Sequence, residues 1–159
     1  SHFVEDLDVY YAPFWEGKTV FQAERLYLEA TLERVQLHND FDVLAHLTYI
    51  SKTRAHPAPR PVPYGEHREV IDQILRVLAD KGKGLEMNTS GVDRSVGFLP
   101  TIDFFRRFKE LGGQIVTVGS DAHRADRVGQ YCGDAAKMLG EIFGYVCTFQ
   151  DRAPIFHKM

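Results

Sequence analysis

The sequence has little cysteine and no paired thiols. Cys132 and Cys147 are its only cysteines in 159 residues, and neither belongs to a CxxC motif. Two isolated thiols do not form a disulfide framework and are typical of proteins in a reducing compartment. We therefore expect both side chains to pack in the interior of a cytoplasmic protein.

Long apolar runs and a large excess of one charge are also missing. No stretch approaches the roughly 20 apolar residues that a membrane span needs, and the N-terminus lacks the basic, then apolar pattern of a secretion signal. The formal net charge of -3 gives no overall attraction to nucleic acid or to an anionic membrane. The composition predicts a soluble, cytoplasmic protein that has neither nucleic acid nor a membrane as a partner.

What is present is enough apolar sequence for one folded domain, residues 1–159. Hydrophobic residues make up 44% and charged residues 26% of the chain, as in globular proteins. Apolar periodicity predicts helices over 18–37, 66–82, 101–113 and 131–143, and strands over 41–50, 84–90, 114–123 and 145–149, with 154–158 as a short extended tail. Strict alternation of helix and strand indicates parallel β/α units, in an open sheet or a barrel.

A proline-rich segment, residues 51–65, interrupts this pattern. It contains four of the seven prolines and can continue neither a helix nor a strand, so we expect a long surface loop. The helix that follows should end near Gly82. Its core-facing residues are predicted to be Val70, Ile71, Ile74, Leu75 and Leu78.

Polar side chains follow three of the predicted strands. His46 lies late in its strand, Asn88 and Thr89 end the next, and Asp121 and His123 follow the third. Residues two apart in an extended segment point the same way, so Asp121 and His123 can converge on one point. Singly, His46 would more often be a core residue, Asn88 and Thr89 turn residues, and Asp121 a helix N-cap. Their joint placement at the carboxyl ends of parallel strands favours a metal site.

Four segments in this order, HFVEDLDVYY, FDVLAHL, GLEMNTSG and ELGGQIVTVGSDAH, resemble the polymerase and histidinol phosphatase (PHP) superfamily, specifically its histidinol-phosphate phosphatase branch. The resemblance runs over essentially the whole chain. It implies an α/β fold, an incomplete, distorted (β/α)7 barrel of PHP type with parallel strands. Because no family-type HxH strand precedes the first matching segment, the first two or three β/α units are expected to be missing, which leaves the C-terminal part of a PHP domain.

The resemblance also implies a set of metal ligands and phosphate contacts. The ligands carried over from the family are His2, His46, Asp121 and His123, although Ser1 and His2 could instead be the remnant of an affinity tag. The ions implied are zinc, manganese or iron, two or three in a complete site. The basic residues expected to bind phosphate are Lys52, which stands where the family has arginine, Arg54 and Arg94; the alternative for each is a solvated loop charge.

The activity implied is hydrolysis of a small phosphate monoester by a metal-bound hydroxide. In that reaction Asp121 and His123 are the expected catalytic residues, and the partner is a small phosphorylated substrate. Two alternatives stay open. The chain could be a catalytically inactive barrel fragment that forms a homodimer through exposed strand edges. It could also be a phosphoesterase of the same superfamily that acts on nucleotides or DNA ends.

The remaining histidines and the N-terminal aromatic residues give weaker signals. His38, His56, His67 and His157 are expected at the surface because they stand among charged residues, in the proline-rich segment or in the tail. The aromatic residues Tyr10, Tyr11 and Trp15 are expected to pack against the following helix rather than to line a substrate pocket.

Overall fold

The computed structural model describes residues 2–159, which form an α/β structure around a short parallel sheet. The sheet contains β3 (Val43–Leu44), β4 (Gly84–Asn88) and β5 (Val116–Gly119), with β4 in the centre. Both strand pairs are parallel, and Leu85 of β4 lies opposite Leu44 on one side and Val116 on the other. The predicted α/β class with parallel strands is therefore confirmed.

The helices form where the apolar periodicity predicts them. Their bounds are α2 (Val20–Leu37), α3 (Arg68–Asp80), α4 (Ile102–Glu110) and α5 (Cys132–Phe143), preceded by the short α1 (Ala12–Trp15). Thr19 and Gln22 form a reciprocal capping box that starts α2. All five residues predicted to face the core from α3 are buried, and Gly82 follows its end with a positive φ of 62°.

The hydrophobic core lies between these helices and one face of the sheet. Phe104, Phe105 and Phe108 of α4 are fully buried, and so are Leu85 and Met87 of β4. Side chains alternate along a strand, so Glu86 and Asn88 point to the opposite face. The face away from the core therefore carries the polar groups at the carboxyl ends of the strands.

Two segments differ from the sequence prediction: residues 41–50, predicted as one strand, and residues 51–65, predicted as a surface loop. Only Val43–Leu44 is extended in ladder geometry, and the chain turns at His46, where φ is 60°. The proline-rich segment is partly buried rather than a surface loop: Ser51, Thr53 and Val62 lie in the interior, and the Val62 N–H donates a hydrogen bond to Ser51 Oγ. Proline fixes the backbone but does not prevent the residues between prolines from packing.

The two ends of the chain do not continue the parallel pattern. Tyr145–Gln150 (β6) and Ala153–Lys158 (β7) form an antiparallel hairpin, so the predicted tail is a strand and strict alternation fails there. Phe3–Val4 (β1) and Leu7–Asp8 (β2) form a second, shorter antiparallel pair. Trp15 is buried and donates its indole N–H to the Val9 carbonyl at 2.9 Å, as expected for a packing residue. Within residues 2–159, no helix is long and apolar enough to cross a membrane.

Candidate metal centre

Two of the expected ligands stand on strained turns at the carboxyl ends of strands. His46 follows β3 with φ of 60°, and Asp121 follows β5 with φ of 49°. A non-glycine residue rarely adopts this left-handed conformation, and such residues cluster at functional sites. The turns re-aim both side chains, so the close approach of His46 and Asp121 depends on backbone geometry that strand alternation alone does not give.

The structure brings three of the four expected ligands into a chain of contacts. His46 Nε2 lies 3.6 Å from Asp121 Oδ2, and His46 Nδ1 lies 3.2 Å from His2 Nε2. The ring of His2 stacks on Tyr49 with centroids 3.8 Å apart, which fixes the orientation of that imidazole. His2, His46 and Asp121 thus lie next to one another, and their role as metal ligands stays a prediction.

His123 lies farther out. Its side chain is exposed and lines a cavity of about 190 Å³ beside Asp121, together with Ser90, Arg94 and Tyr131. The remaining lining residues come from the turns after β4 and β5 and from the start of α5. A small polar ligand would therefore reach Asp121 and His123 from this side.

Lys52 is buried and paired with a carboxylate, unlike an exposed loop cation that is free to bind phosphate. Its side chain is only 8% exposed, and Nζ lies 2.5 Å from Asp121 Oδ2 and 2.5 Å from Ser90 Oγ. The ammonium also lies 5.1 Å from the centre of the Tyr49 ring. The alternative of a solvated loop charge is thus wrong for Lys52, which is instead an ion-pair partner of Asp121.

The other two basic residues lie at the periphery. Arg94 is exposed, lines the 190 Å³ cavity and donates a hydrogen bond to the Lys52 carbonyl at 2.8 Å. Arg54 is exposed and does not line that cavity. Of the three predicted phosphate contacts, Arg94 is therefore the one whose position beside the cavity fits that role directly.

Electrostatics at this rim follow from burial and from Lys52. Burial opposes the ionised form of Asp121, but the hydrogen bond and charge of Lys52, with His46 and His123, hold the pKa of this carboxyl below its ordinary value. Burial, aided by Lys52, lowers the pKa of His46 despite the opposing effect of Asp121. Burial and His46 likewise lower the pKa of His2. A carboxylate beside neutral imidazoles is the protonation state in which these groups bind metals.

Sequence reasoning missed Glu86, which lies behind the expected ligands on β4. Its carboxylate accepts a hydrogen bond from Asn88 Nδ2 at 3.3 Å and one from the His46 backbone, and burial raises the pKa of this group. The side chain packs against Gly119 so closely that a Cβ there would lie 2.1 Å from Glu86 Oε1. The signal was present in GLEMN, where an acidic residue alternates with two apolar ones.

A second group of ligand-type side chains lies on α2 and on the turn before α3. One ligand atom from each of Glu24, Glu66 and His67 falls within 4.8 Å of the others, and residues 2–159 contain no other such group of three. Arg60 lies 3.0 Å from both carboxylates, and His67 Nε2 lies 2.9 Å from Glu24 Oε2. Because the Arg60 guanidinium already binds both carboxylates, we interpret this group as a structural ion-pair network.

The expectation that His67 and His56 lie at the surface is wrong. His67 is 1% exposed within the ion-pair network, and its ring stacks on Phe21. His56 is 5% exposed and packs against the ring of Trp15. Both residues stand beside charged or proline-rich sequence, which is typical of exposed segments. They become buried only when α1 and α2 pack against the segment that contains them.

A larger cavity of about 360 Å³ opens beside β3 and is lined mainly by apolar side chains. Val43, Leu44 and Leu47 contribute from the strand and its turn, and Tyr27 and Val35 contribute from α2. His2 and His46 lie at its border. The cavity thus meets the candidate centre on the side of the sheet where β3 forms the edge.

The donor set at the rim fits a divalent ion in part. Two donor atoms bound to one ion at about 2 Å lie about 3 to 4 Å apart, which matches the 3.6 Å between His46 Nε2 and Asp121 Oδ2. Imidazole and carboxylate donors suit zinc and other transition metals. No three of the expected ligand atoms lie within 4.8 Å of one another in the described residues, so these residues supply part of a coordination shell.

Comparison with known proteins gives a consistent set of relatives. The chain is 35% identical over 127 residues to the histidinol-phosphatase of Lactococcus lactis. The aligned region covers 79% of this chain and 47% of that protein. It is 29% identical over 137 residues to a probable histidinol-phosphatase of Clostridium acetobutylicum, covering 86% of this chain and 53% of the relative. The chain therefore spans about half the length of the curated relatives it matches. No family model matches the chain.

A solved structure has the same fold. It is histidinol phosphate phosphatase from Lactococcus lactis in complex with zinc, L-histidinol and phosphate, and it matches with a TM-score of 0.86 at 32% identity. The match covers 97% of this chain and 59% of that protein. Nearly all of the chain is thus accounted for by part of one known fold.

Proposed function

The chain is a homologue of the bacterial histidinol-phosphatases, and from that premise we propose that it is part of a metal-dependent phosphatase that hydrolyses a small phosphate monoester. The observation that carries this proposal is the approach of His46 Nε2 to Asp121 Oδ2, 3.6 Å apart on strained turns at the ends of β3 and β5. The related enzyme's complex with zinc, L-histidinol and phosphate supports a phosphorylated amino alcohol as the substrate class.

The proposed metal ligands are His46, Asp121, His2 and His123. The first three are linked by contacts of 3.2 and 3.6 Å, and His123 lines the adjoining cavity. A divalent ion held there would neutralise phosphate oxygens and make a bound water more acidic. Zinc, manganese and iron all suit this donor set, and a complete site of two or three ions would take further ligands from water or from another segment.

The other proposed roles belong to residues around the cavity. Asp121 would orient the attacking water as well as bind the ion, and His123 would hold the ion through a ring nitrogen at the open side of the site. Arg94 is the proposed principal phosphate contact, because it lines the cavity and its guanidinium can bind two phosphate oxygens. Lys52 and Arg54 add positive charge near the site, Lys52 through its ion pair with Asp121.

The proposed architecture is a single domain, residues 1–159, that forms part of a distorted (β/α)7 barrel of PHP type. The short parallel sheet, the open edge of β3 and the coverage of about half of each relative support this proposal. The same open edge and the apolar cavity beside it favour a second candidate function, a catalytically inactive fragment that associates with another copy.

The experiment that tests the function is metal content per chain, followed by phosphate release. Purified chain is loaded with zinc or manganese, desalted and analysed for metal, alongside the double variant Asp121→Ala, His123→Ala. We expect bound metal in the parent chain and its loss in the variant, whereas Asp103→Ala, which removes an exposed carboxylate of α4, should retain it.

Phosphate release then separates the substrate classes. Metal-loaded chain should release phosphate from histidinol phosphate faster than from a nucleoside monophosphate. Bound metal with no phosphate release would support the inactive fragment, and equal metal in the parent and the double variant would contradict the proposed ligands.

A further inference from the structure

Lys52 is a buried cation whose position is fixed by the residues around it. Its side chain is 8% exposed, Nζ lies 2.5 Å from Ser90 Oγ, and the Tyr49 ring lies 5.1 Å away. Ser90 Oγ in turn lies 2.5 Å from Asn88 Oδ1, at the end of β4. The ammonium can leave this place only by giving up hydrogen bonds to partly buried groups.

The ammonium and the proposed metal position share one atom. Asp121 Oδ2 is the oxygen 2.5 Å from Lys52 Nζ, and it is also the oxygen 3.6 Å from His46 Nε2. An ion bound by that oxygen at about 2 Å would lie no more than about 4.5 Å from Lys52 Nζ, because Nζ is 2.5 Å from the same oxygen. Two cations at this separation and in partly buried surroundings repel each other strongly.

Resting on the function proposed above, we propose that Lys52 sets the metal affinity of this centre by competing with the ion for Asp121 Oδ2. The oxygen has two lone pairs, so the ion and the ammonium can share it, but each weakens the hold of the other. Lys52 is thus a positioning residue that lowers the affinity for divalent ions below what Asp121 would give without it, in addition to any charge that it offers to phosphate.

The test is a zinc titration of the chain near neutral pH against a chromophoric chelator. The variants are Lys52→Met and Lys52→Gln, which remove the charge, and Lys52→Arg, which keeps it. Lys137→Met is the matched control, because it removes the charge of an exposed lysine of α5. We expect both neutral variants to bind zinc at least about tenfold more tightly than the parent chain. Lys52→Arg and Lys137→Met should bind about as the parent does.

Thermal unfolding of each metal-free variant checks that the chain is folded. The two neutral variants, Lys52→Met and Lys52→Gln, differ in shape, so the test can be made with the second if the first does not fold. Unchanged or weaker zinc binding in a folded neutral variant, with binding by the parent intact, overturns the role of Lys52 and leaves the proposed function standing. Zinc binding by neither the parent nor the neutral variants overturns both proposals. Tighter binding in Lys137→Met as well would assign the effect to net charge and overturn the role of Lys52.

Discussion

The carboxylate of Glu24 is fully buried and has two side-chain partners, Arg60 and His67. Arg60 lies 3.0 Å from Glu24 Oε2, His67 lies 2.9 Å from the same oxygen, and Glu24 Oε1 has no hydrogen-bond partner. Glu66 bonds the same arginine from an exposed position. Glu24 and Glu66 can therefore be compared directly, because both bind Arg60 but only Glu24 is buried.

We predict that Glu24→Ala lowers the free energy of unfolding by about 3 to 5 kcal/mol, because it removes the buried hydrogen-bond partner of His67 and one of the two carboxylates that bind Arg60. Glu66→Ala should have a much smaller effect, since water replaces an exposed carboxylate. Urea unfolding monitored by Trp15 fluorescence measures both. Equal losses would contradict a structural role that depends on burial.

His56 provides a pH-dependent contribution at the residue scale. Burial, with a smaller effect of the nearby Arg60 charge, lowers the pKa of His56 from 6.5 to about 4. The unfolded chain therefore binds a proton that the folded chain excludes, so stability is present above about pH 6.5 and decreases as the pH falls towards about 4.

We predict that His56→Gln, which cannot take up a proton, flattens this decrease. The measurement is the urea midpoint at intervals across the same pH range, for the parent chain and the variant. His157→Gln, in the exposed strand β7, is the control and should keep the slope of the parent. A parallel slope in His56→Gln would exclude His56 as its source.

At the scale of elements, two adjacent glycines end α4 for different reasons. Gly112 adopts φ of 92°, a conformation that costs other residues energy. Gly113 has an ordinary φ, but a Cβ there would lie 2.3 to 2.4 Å from three ring atoms of Phe108. Phe108 is fully buried, so its ring has little room to move. The turn from α4 into β5, the strand that precedes Asp121, thus depends on both residues.

We predict that Gly113→Ala lowers the free energy of unfolding by about 1 to 3 kcal/mol through overpacking. Gly133→Ala in α5 is the matched control. A Cβ at that position meets no atom within 4 Å, and alanine favours a helix over glycine, so stability should rise slightly. Chemical denaturation compares the two, and a neutral Gly113→Ala would show that α4 and β5 shift apart readily.

At the scale of the whole molecule, strand β3 leaves one edge of the parallel sheet without a neighbouring strand in the part of the chain that the structure describes. Among the described residues, β3 pairs with β4 alone, and Leu44 lines the apolar cavity beside it. Exposed strand edges next to apolar surface promote association with another chain. We predict that the isolated chain self-associates as its concentration rises.

Leu44→Lys should weaken this association, because it places a charge at the edge. Val128→Lys, at a loop residue that is 75% exposed, is the control and should associate as the parent does. Sedimentation velocity over a range of concentrations measures both variants. A parent chain that remains monomeric throughout would contradict association through this edge.

By itself the sequence determined the features that depend on local periodicity and local turn chemistry. The five buried residues of α3 repeat at helical spacing, and Gly82 and Gly112 follow helices where a positive φ is needed. The parallel pairing of the three central strands followed from the alternation of helix and strand. Such patterns predict the folded structure well because the helical spacing and the glycine turns each depend on residues that are close together in the sequence.

Only the tertiary structure decided what depends on contacts between distant segments. The burial of Lys52 against Asp121, 69 residues away, and of His67 against Glu24, 43 residues away, left no local mark in charged or proline-rich sequence. The left-handed turns at His46 and Asp121, and the close approach of Glu86 on β4 to Gly119 on β5, likewise had no signal in the sequence. The physical reason is that burial and pKa are set by neighbours in space, and the neighbours that matter at this centre are brought together only when β3, β4 and β5 pair.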